Sequence, residues 1–243
     1  MIRFLSGKPA AVIGKFLLIG DLHFGVELEL QSKGVNLDFS PGQYVDLLNS
    51  LAKETNTTEL VVLGDFKNNY LGVTQRERNA LNELFQLLKF KRVIVVKGNH
   101  DGSLEEFEKF FPKLSVKPAS GEVLKIGNVS YGLFHGHAMP SREVLQSDYL
   151  LCGHQHPGVM LGSKKITWKV DSWIVGNCRD TKYTNSKQKF IVFPSFHELK
   201  GSTAINARTT IGPLFKEVFD LLDAEVILLN GQRVGKVKYL TSF

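Results

Sequence analysis

Lys15-Phe16-Leu17-Leu18-Ile19-Gly20-Asp21-Leu22-His23 sets the pattern that decides the fold: a short aliphatic run, a glycine, then a carboxylate and an imidazole two residues apart. The same arrangement returns at residues 59–64 followed by Asp65, and at residues 92–97 followed by Gly98-Asn99-His100-Asp101. Uninterrupted aliphatic runs of this length predict strands buried on both faces of a sheet. Between them the spacing predicts two helices. One has Ser40 as N-cap, Pro41 at the first helical position and Tyr44, Leu48 and Leu51 along one face. The other starts at Thr74, closes a capping box with Glu77 and aligns Leu81, Leu84, Phe85 and Leu88. Ser103 and Glu106 predict a third, shorter helix. Strand–helix–strand order implies βαβ units and parallel pairing.

Beyond residue 120 the pattern changes to short strands, predicted at residues 123–126, 129–134, 148–152, 166–175 and 189–193. A hairpin follows over residues 225–229 and 234–240, turning at Asn230-Gly231. Residues 176–188, rich in Asn, Thr, Lys and Ser, read as a long exposed loop. The chain is α/β first and mainly β later, which predicts two sheets packed as one domain over residues 1–243.

Composition narrows the class. A chain of 243 residues with 43% hydrophobic and 22% charged residues can bury a full core, which argues against disorder. Cys152 and Cys178 are the only cysteines, excluding a disulfide scaffold or a cysteine-cluster zinc site. No run approaches the roughly 18 apolar residues of a membrane span. The apolar residues 9–20 contain Lys15 and run directly into Asp21-Leu22-His23, unlike a cleaved signal peptide. The expectation is a soluble, cytoplasmic protein with no membrane partner. Charge is uneven: residues 1–156 hold 17 Lys+Arg and 17 Asp+Glu, whereas residues 157–243 hold 13 and 7 and carry the whole +6. The basic C-terminal part reads either as a solvated surface or as a flank for a polyanion. On the second reading Lys182, Lys187 and Lys189 would meet the substrate. The pair Lys164-Lys165 is too short to be a basic tract.

The chemistry sits at the strand ends. Two later runs end in His135-Gly136-His137 and Gly153-His154-Gln155-His156. Of the seven histidines (23, 100, 135, 137, 154, 156 and 197) only His197 lies outside these clusters. Residues two apart on an extended backbone share a side, so Asp21 with His23, and His154 with His156, can converge on one target. Taken singly, an Asp-x-His is a turn or cap pair and an Asn-His-Asp suits a helix N-terminus. Five such clusters in order, each at the end of a predicted strand, point to a metal site in the crevice beyond the strands. Cys152 reads as strand core and His197 as surface; His137 fits either a pocket lining or simple packing.

In order and spacing, Asp21-x-His23, Gly64-Asp65, Gly98-Asn99-His100-Asp101, His135 and Gly153-His154-x-His156 resemble the motif set of the calcineurin-like metallophosphoesterases. Gly64-Asp65-Phe66-Lys67 and Pro194-Ser195-Phe196 are similar to the archaeal-type branch related to SbcD-type repair nucleases and the bacterial ligase-associated phosphoesterase. The resemblance implies a four-layer α/β/β/α sandwich of two mixed sheets holding two metal ions. It assigns Asp21, His23 and His156 to one ion and Asn99, His135 and His154 to the other, with Asp65 bridging. It also implies that His100 faces the substrate as the catalytic acid, its ring oriented by Asp101. The segment Lys67-Asn68-Asn69 departs from the family, where a further carboxylate or histidine often follows the second motif.

An imidazole, carboxylate and amide donor set without thiolate favours Mn²⁺, with Fe, Zn²⁺ and Ni²⁺ also satisfied. The implied activity is a phosphodiesterase or nuclease acting on nucleic acid, DNA or RNA, or on nucleotides. The alternatives are a phosphomonoesterase or cyclic-nucleotide phosphodiesterase on small substrates and, because some relatives lack activity, a non-catalytic scaffold. A protein partner or self-association is left open by the sequence.

Overall fold

All three aliphatic runs become adjacent parallel strands in the computed structural model, which describes residues 1–38, 40–163, 166–207 and 213–240. The pair Lys164-Lys165 lies outside the described residues. The first sheet holds β1 (Arg3–Phe4), β2 (Ala10–Ile13), β3 (Phe16–Ile19), β4 (Glu59–Val62), β5 (Arg92–Val96) and β6 (Leu114–Lys117) in sequence order. The first three pair antiparallel, and β3 through β6 pair parallel.

The second sheet contains β7 (Glu122–Ile126), β8 (Val129–Phe134), β9 (Tyr149–Cys152), β10 (Pro157–Gly162), β11 (Thr167–Asn177), β12 (Lys189–Val192) and β13 (Thr203–Ala204), ordered β13-β10-β11-β12-β9-β8-β7. The hairpin β14 (Glu225–Leu228) and β15 (Arg233–Lys236) attaches through β14 to β11. Parallel pairs β8–β9 and β9–β12 sit among antiparallel neighbours, so this sheet too is mixed.

Side chains alternate along each strand, and this builds three core layers. From β3, β4 and β5, Leu17, Ile19, Leu60, Val62, Val93 and Val95 face the helices, while Phe16, Leu18, Val61, Leu63, Ile94 and Val96 face the other sheet. The helices are α1 (Val26–Ser32), α2 (Pro41–Thr55), α3 (Gln75–Leu87), α4 (Arg142–Leu145) and α5 (Pro213–Glu217). Val45, Leu48 and Leu51 of α2 and Leu81, Leu84 and Phe85 of α3 cover the first sheet at the spacing of one helical face. Between the sheets Phe16, Ile94, Leu151, Trp173, Ile191 and Phe193 interdigitate. Outside the second sheet Val144 and Leu145 of α4 and Leu214 and Phe215 of α5 pack on Phe190 and Val192. The order is therefore helix, sheet, sheet, helix, with a thin last layer. Among the described residues no helix is long and apolar enough to cross a membrane.

The Thr74 capping box forms in both directions, with Glu77 N donating to Thr74 Oγ1 at 3.2 Å and Thr74 N donating to Glu77 Oε2 at 3.4 Å. Several expectations need correction. Ser40 precedes α2 but makes no side-chain cap. The segment after Ser103 is a 3₁₀ turn, Leu104–Lys109; Ser103 has a left-handed φ of 63° and its hydroxyl accepts no capping hydrogen bond. Within residues 176–188, Cys178, Thr184 and Gln188 are buried, and Gln188 Nε2 donates to the carbonyls of Leu145 (2.7 Å) and Ser147 (2.6 Å). The final strand stops at Lys236 and gives way to a 3₁₀ turn, Val237–Tyr239.

Candidate metal centre

Every chemical cluster occupies the same edge of the sandwich. Asp21 and His23 follow β3, Asp65 follows β4, and Asn99 and His100 follow β5; His135 follows β8, and His154 and His156 follow β9. Parallel pairing puts these carboxyl ends side by side, and face-to-face packing brings the two sheets' ends together. The loops are laced by main-chain bonds: Asp21 N donates to Gly64 O (3.2 Å) and His23 N to Asp65 O (2.8 Å). Across the sheets, His154 N donates to both Asp21 carboxylate oxygens at 3.0 Å, and Ser195 Oγ donates to Asp21 O at 3.1 Å.

The arrangement is strained and crowded. Asp21, His23, Asp65, His154 and His156 all have left-handed φ, between 40° and 68°, and account for five of the seven such non-glycine residues among those described. Each costs about 1–3 kcal/mol and persists only where the surroundings enforce it. Gly98 is required by space, because a Cβ there would meet Asp65 Oδ1 at 2.1 Å and Asp65 N at 2.3 Å. Gly64 has a φ of +80°, and a Cβ there would stand 2.3 Å from His135 Nδ1.

Donor atoms converge in three groups: Asp21, His23 and His156; Asp65, His135 and His154; and His23, Asp65 and His100. Nitrogen faces nitrogen at 3.3 Å between His23 Nε2 and His156 Nε2, and at 3.1 Å between His154 Nδ1 and His135 Nε2. His135 Nε2 lies 3.3 Å from Asp65 Oδ2 and 3.2 Å from Asn99 Oδ1, and His156 Nε2 lies 3.2 Å from Asp21 Oδ1. The other ring nitrogens of two histidines donate to main-chain carbonyls, His135 Nδ1 to Leu63 O (2.8 Å) and His156 Nδ1 to Gly201 O (3.3 Å). Protons held at Nδ1 leave lone pairs at Nε2 pointing into the cluster, the arrangement typical of histidine metal ligands. The donor set therefore fits a pair of divalent cations.

Electrostatics follow from the crowding. Burial and then the charge of Lys200 drive the His23 imidazolium down to about 2. Burial and the neighbouring His135 lower His154 to about 4. Burial opposes a charge on His135, but the hydrogen bond to Asp65 and the charge of Asp21 carry it up to about 9. Burial likewise opposes ionisation of Asp65, which its hydrogen bond and charge interaction with His135 and the His100 N–H overcome, holding the carboxyl well below the usual range. The centre thus sets an ionised Asp65 among imidazoles pulled both ways, His23 and His154 towards the neutral form by burial, His135 and His156, against their burial, towards the charged form by the nearby carboxylates.

His100 turns one edge inward. Its Nδ1 donates to the Asn68 carbonyl, its N–H donates to Asp65 Oδ1 at 2.9 Å, and its Nε2 lies 3.9 Å from Asp65 Oδ2. Asp101 does not orient this ring, contrary to the sequence expectation. Its fully buried carboxylate accepts instead from Gly98 N (2.8 Å) and Lys67 N (3.2 Å), tying two strand-end loops together. Burial and the charge of Asp65 raise Asp101 to about 6.

Other residues also depart from the sequence reading. His197 is buried, not superficial: its Nδ1 accepts from Leu199 N (3.1 Å), and its Nε2 contacts Tyr44 Oη and donates to Glu27 Oε1 (3.3 Å). His137 packs its ring 5.2 Å from His135 and outside the donor groups. Lys182, Lys187 and Lys189 do not adjoin the centre. Lys189 pairs with Tyr149 at the start of β9, a full strand length from the His154 end, and Gln188 anchors the preceding loop at that same far end. Sequence reasoning missed Lys200, half-buried next to the Gly201 carbonyl that holds His156 and electrostatically coupled first to Glu29 and then to Asp65 and Asp21.

The calcineurin-like phosphoesterase family model matches residues 14–146. Among curated proteins, none matches the chain. Among solved structures it is similar to the nuclease MPE of Pseudomonas putida, at 16% identity and a TM-score of 0.58, over 95% of this chain and 96% of that one; the likeness is one of fold. It is also similar to an archaeal phosphodiesterase (16% identity, TM-score 0.36, 63% of this chain and 79% of that one). A third similar structure is Vps29 complexed with Zn²⁺ from Entamoeba histolytica (20% identity, TM-score 0.34, 78% and 77%).

Proposed function

The chain belongs to the calcineurin-like phosphoesterase family, and on that premise we propose that it is a metal-dependent phosphodiesterase acting on nucleic acid or nucleotides, with residues 1–243 as one catalytic domain in the cytoplasm. Asp21, His23 and His156 would hold one divalent ion and Asn99, His135 and His154 the other, with Asp65 available to both. The observation that carries this reading is the pair of nitrogen-to-nitrogen contacts, 3.3 and 3.1 Å, flanking one carboxylate. In each contact one ring, His156 or His135, has its Nδ1 held on a main-chain carbonyl and aims its Nε2 at the facing nitrogen, the orientation in which two imidazoles can share a cation. Two ions so held would polarise the phosphoryl oxygens and lower the pKa of a bound water. Mn²⁺ suits this thiolate-free donor set, and Fe, Zn²⁺ and Ni²⁺ are compatible with it.

The remaining work falls to the protein's own groups. His100, its Nδ1 proton fixed on Asn68 O, presents Nε2 to the leaving oxygen and supplies the proton it needs. Asp101 is a positioning residue, holding Gly98 and Lys67 so that the His100 and Asp65 loops keep their spacing. Lys200 adds a positive charge beside the centre for the substrate phosphate. All seven donor residues and His100 are retained, which speaks against a scaffold without activity.

The test is a screen of purified protein with Mn²⁺ against bis-p-nitrophenyl phosphate, p-nitrophenyl phosphate, cyclic nucleotides and single-stranded DNA. Turnover of the diesters ahead of the monoester is the expected result. Hydrolysis of p-nitrophenyl phosphate alone would replace the reading with a phosphomonoesterase.

A further inference from the structure

Lys67 is a fully buried lysine, and a buried ammonium is tolerated only when its donors are met. Its Nζ donates to the main-chain carbonyls of Asn69 and, at 2.9 Å, Gly72. The chain from Asn69 to Gly72 is thereby wrapped around the ammonium. Leu71 N donates to Asn69 Oδ1 at 3.0 Å, and Asn69 N donates at 3.4 Å to Glu77 Oε1 in the first turn of α3. With the inside of the loop taken, Tyr70 and Leu71 point outward and are 66% and 82% exposed.

One exposed tyrosine needs no explanation, but the placement of this one is specific. Its ring lies 5.9 Å from the His100 imidazole, edge-on at 85°, and the residue two positions earlier in the loop supplies the carbonyl that holds His100. Beside it, between α1 and the loop, opens a cavity of about 490 Å³ lined by Leu28, Tyr70, Leu71 and Arg76 and by Lys33, Glu29 and Glu77, with Lys33 paired to Glu29 at 2.5 Å. That volume is within the roughly 300–1,000 Å³ of small-ligand sites. On its lining, Arg76 Nη2 donates to the neutral Gln31 amide at 2.8 Å and so keeps its charge for an anion.

We propose that Tyr70 is a stacking platform for the nucleobase on the leaving-group side of the scissile phosphodiester, and that the substrate is therefore single-stranded nucleic acid. A base in a duplex is stacked and paired, whereas a single strand can splay one onto an aromatic ring. Arg76 then meets the next phosphate. The proposal rests on the phosphodiesterase reading for a scissile phosphate beside His100, while the stack itself can be measured without turnover.

The experiment compares wild type, Tyr70→Ala and Tyr70→Phe on a dinucleoside monophosphate and on its analogue with an abasic sugar on the leaving side. Tyr70→Ala should lower kcat/KM on the dinucleotide about 5- to 150-fold, mainly through KM, which is the roughly 1–3 kcal/mol of a base–aromatic stack at 1.4 kcal/mol per tenfold. Tyr70→Phe should restore it, and the wild type should fall to the Tyr70→Ala level on the abasic analogue. An equal further loss for Tyr70→Ala on the abasic analogue would make the ring a support for His100, and failure of Tyr70→Phe would make the hydroxyl the essential group; either overturns the proposal, as does no loss at all. If the wild type cleaves no diester, including bis-p-nitrophenyl phosphate, the underlying reading fails instead. The stack is then read from fluorescence anisotropy of a labelled single-stranded oligonucleotide, where Tyr70→Ala should weaken Kd by the same factor and an unchanged Kd would overturn it.

Discussion

Gly98→Ala adds one methyl group at the tightest point of the centre. The new Cβ would stand 2.1 Å from Asp65 Oδ1, 2.9 Å from Asp65 Cγ and 2.3 Å from Asp65 N, where ordinary contact begins at 3.4 Å. The oxygen must therefore retreat by about 1.3 Å, and the main-chain nitrogen, held in the β4 loop, cannot swing aside as a side chain would. Displacing Oδ1 also breaks its 2.9 Å bond from His100 N, so the shared carboxylate and the acid lose register together. A misplacement of about 1 Å at a reacting centre can cost on the order of 10²-fold in rate. Overpacking of a tight interior costs about 1–3 kcal/mol, or roughly 2–12 °C in Tm for a chain of this size. The expected outcome is a folded variant, melting a few degrees lower, with kcat/KM down by about 10²-fold and weakened affinity for both ions, read by calorimetric melting, diester turnover and metal titration. Wild-type activity and metal affinity in Gly98→Ala would refute the claim that Asp65 is held by this contact.

His100→Ala should keep both ions and lose on the order of 10²–10⁴ in kcat, less with a p-nitrophenolate leaving group than with a nucleoside alkoxide. Loss of an ion, by metal analysis, would make His100 a ligand, which its place in the third donor group allows as a test. Lys200→Met should lower kcat/KM on diesters about 10-fold or more, the scale of a hydrogen bond to a charged group, with partial recovery in Lys200→Arg; unchanged kinetics would remove Lys200 from substrate binding. Glu27→Gln tests the buried cluster with Tyr44 and His197. Burial opposes ionisation of Glu27, but its hydrogen bonds from His197 and Tyr44 hold its pKa below the ordinary 4.5, so its contribution is fully present above pH 4.5 and is lost as pH falls through the folded value. Urea unfolding should therefore show a difference of about 1–3 kcal/mol at neutral pH that shrinks towards pH 3, and a difference independent of pH would contradict the assignment.

How much could be read from the sequence depended on whether partners lie close in the chain. The strand-end clusters were legible because one local rule, an aliphatic run and then a polar turn, repeats and because parallel strands must align their carboxyl ends. The helices over Pro41–Thr55 and Gln75–Leu87 were legible from periodicity and caps. Strand β10 was not, because Pro157-Gly158 reads as a turn; its partner β11 supplies the ladder that propensity denies it. His197 looked superficial because its partners Tyr44 and Glu27 are 153 and 170 residues away. Lys200 ends a single 3₁₀ turn, Glu198–Lys200, and Tyr70 sits in a loop; neither has a period to read, and only the folded chain brings them to the centre. The lysines around residue 185 share the basic C-terminal composition but enter the sheet at its opposite end, which net charge cannot reveal.

The central claim is that one carboxylate serves two ions. Metal analysis of the purified protein under saturating Mn²⁺, with anomalous scattering to locate the ions, tests it directly in the wild type, Asp65→Asn and His23→Ala. Two ions per wild-type chain are expected, with Asp65→Asn weakening both together and His23→Ala mainly the one shared with Asp21 and His156. A single ion in the wild type, none at all, or two retained at full affinity in Asp65→Asn would contradict it.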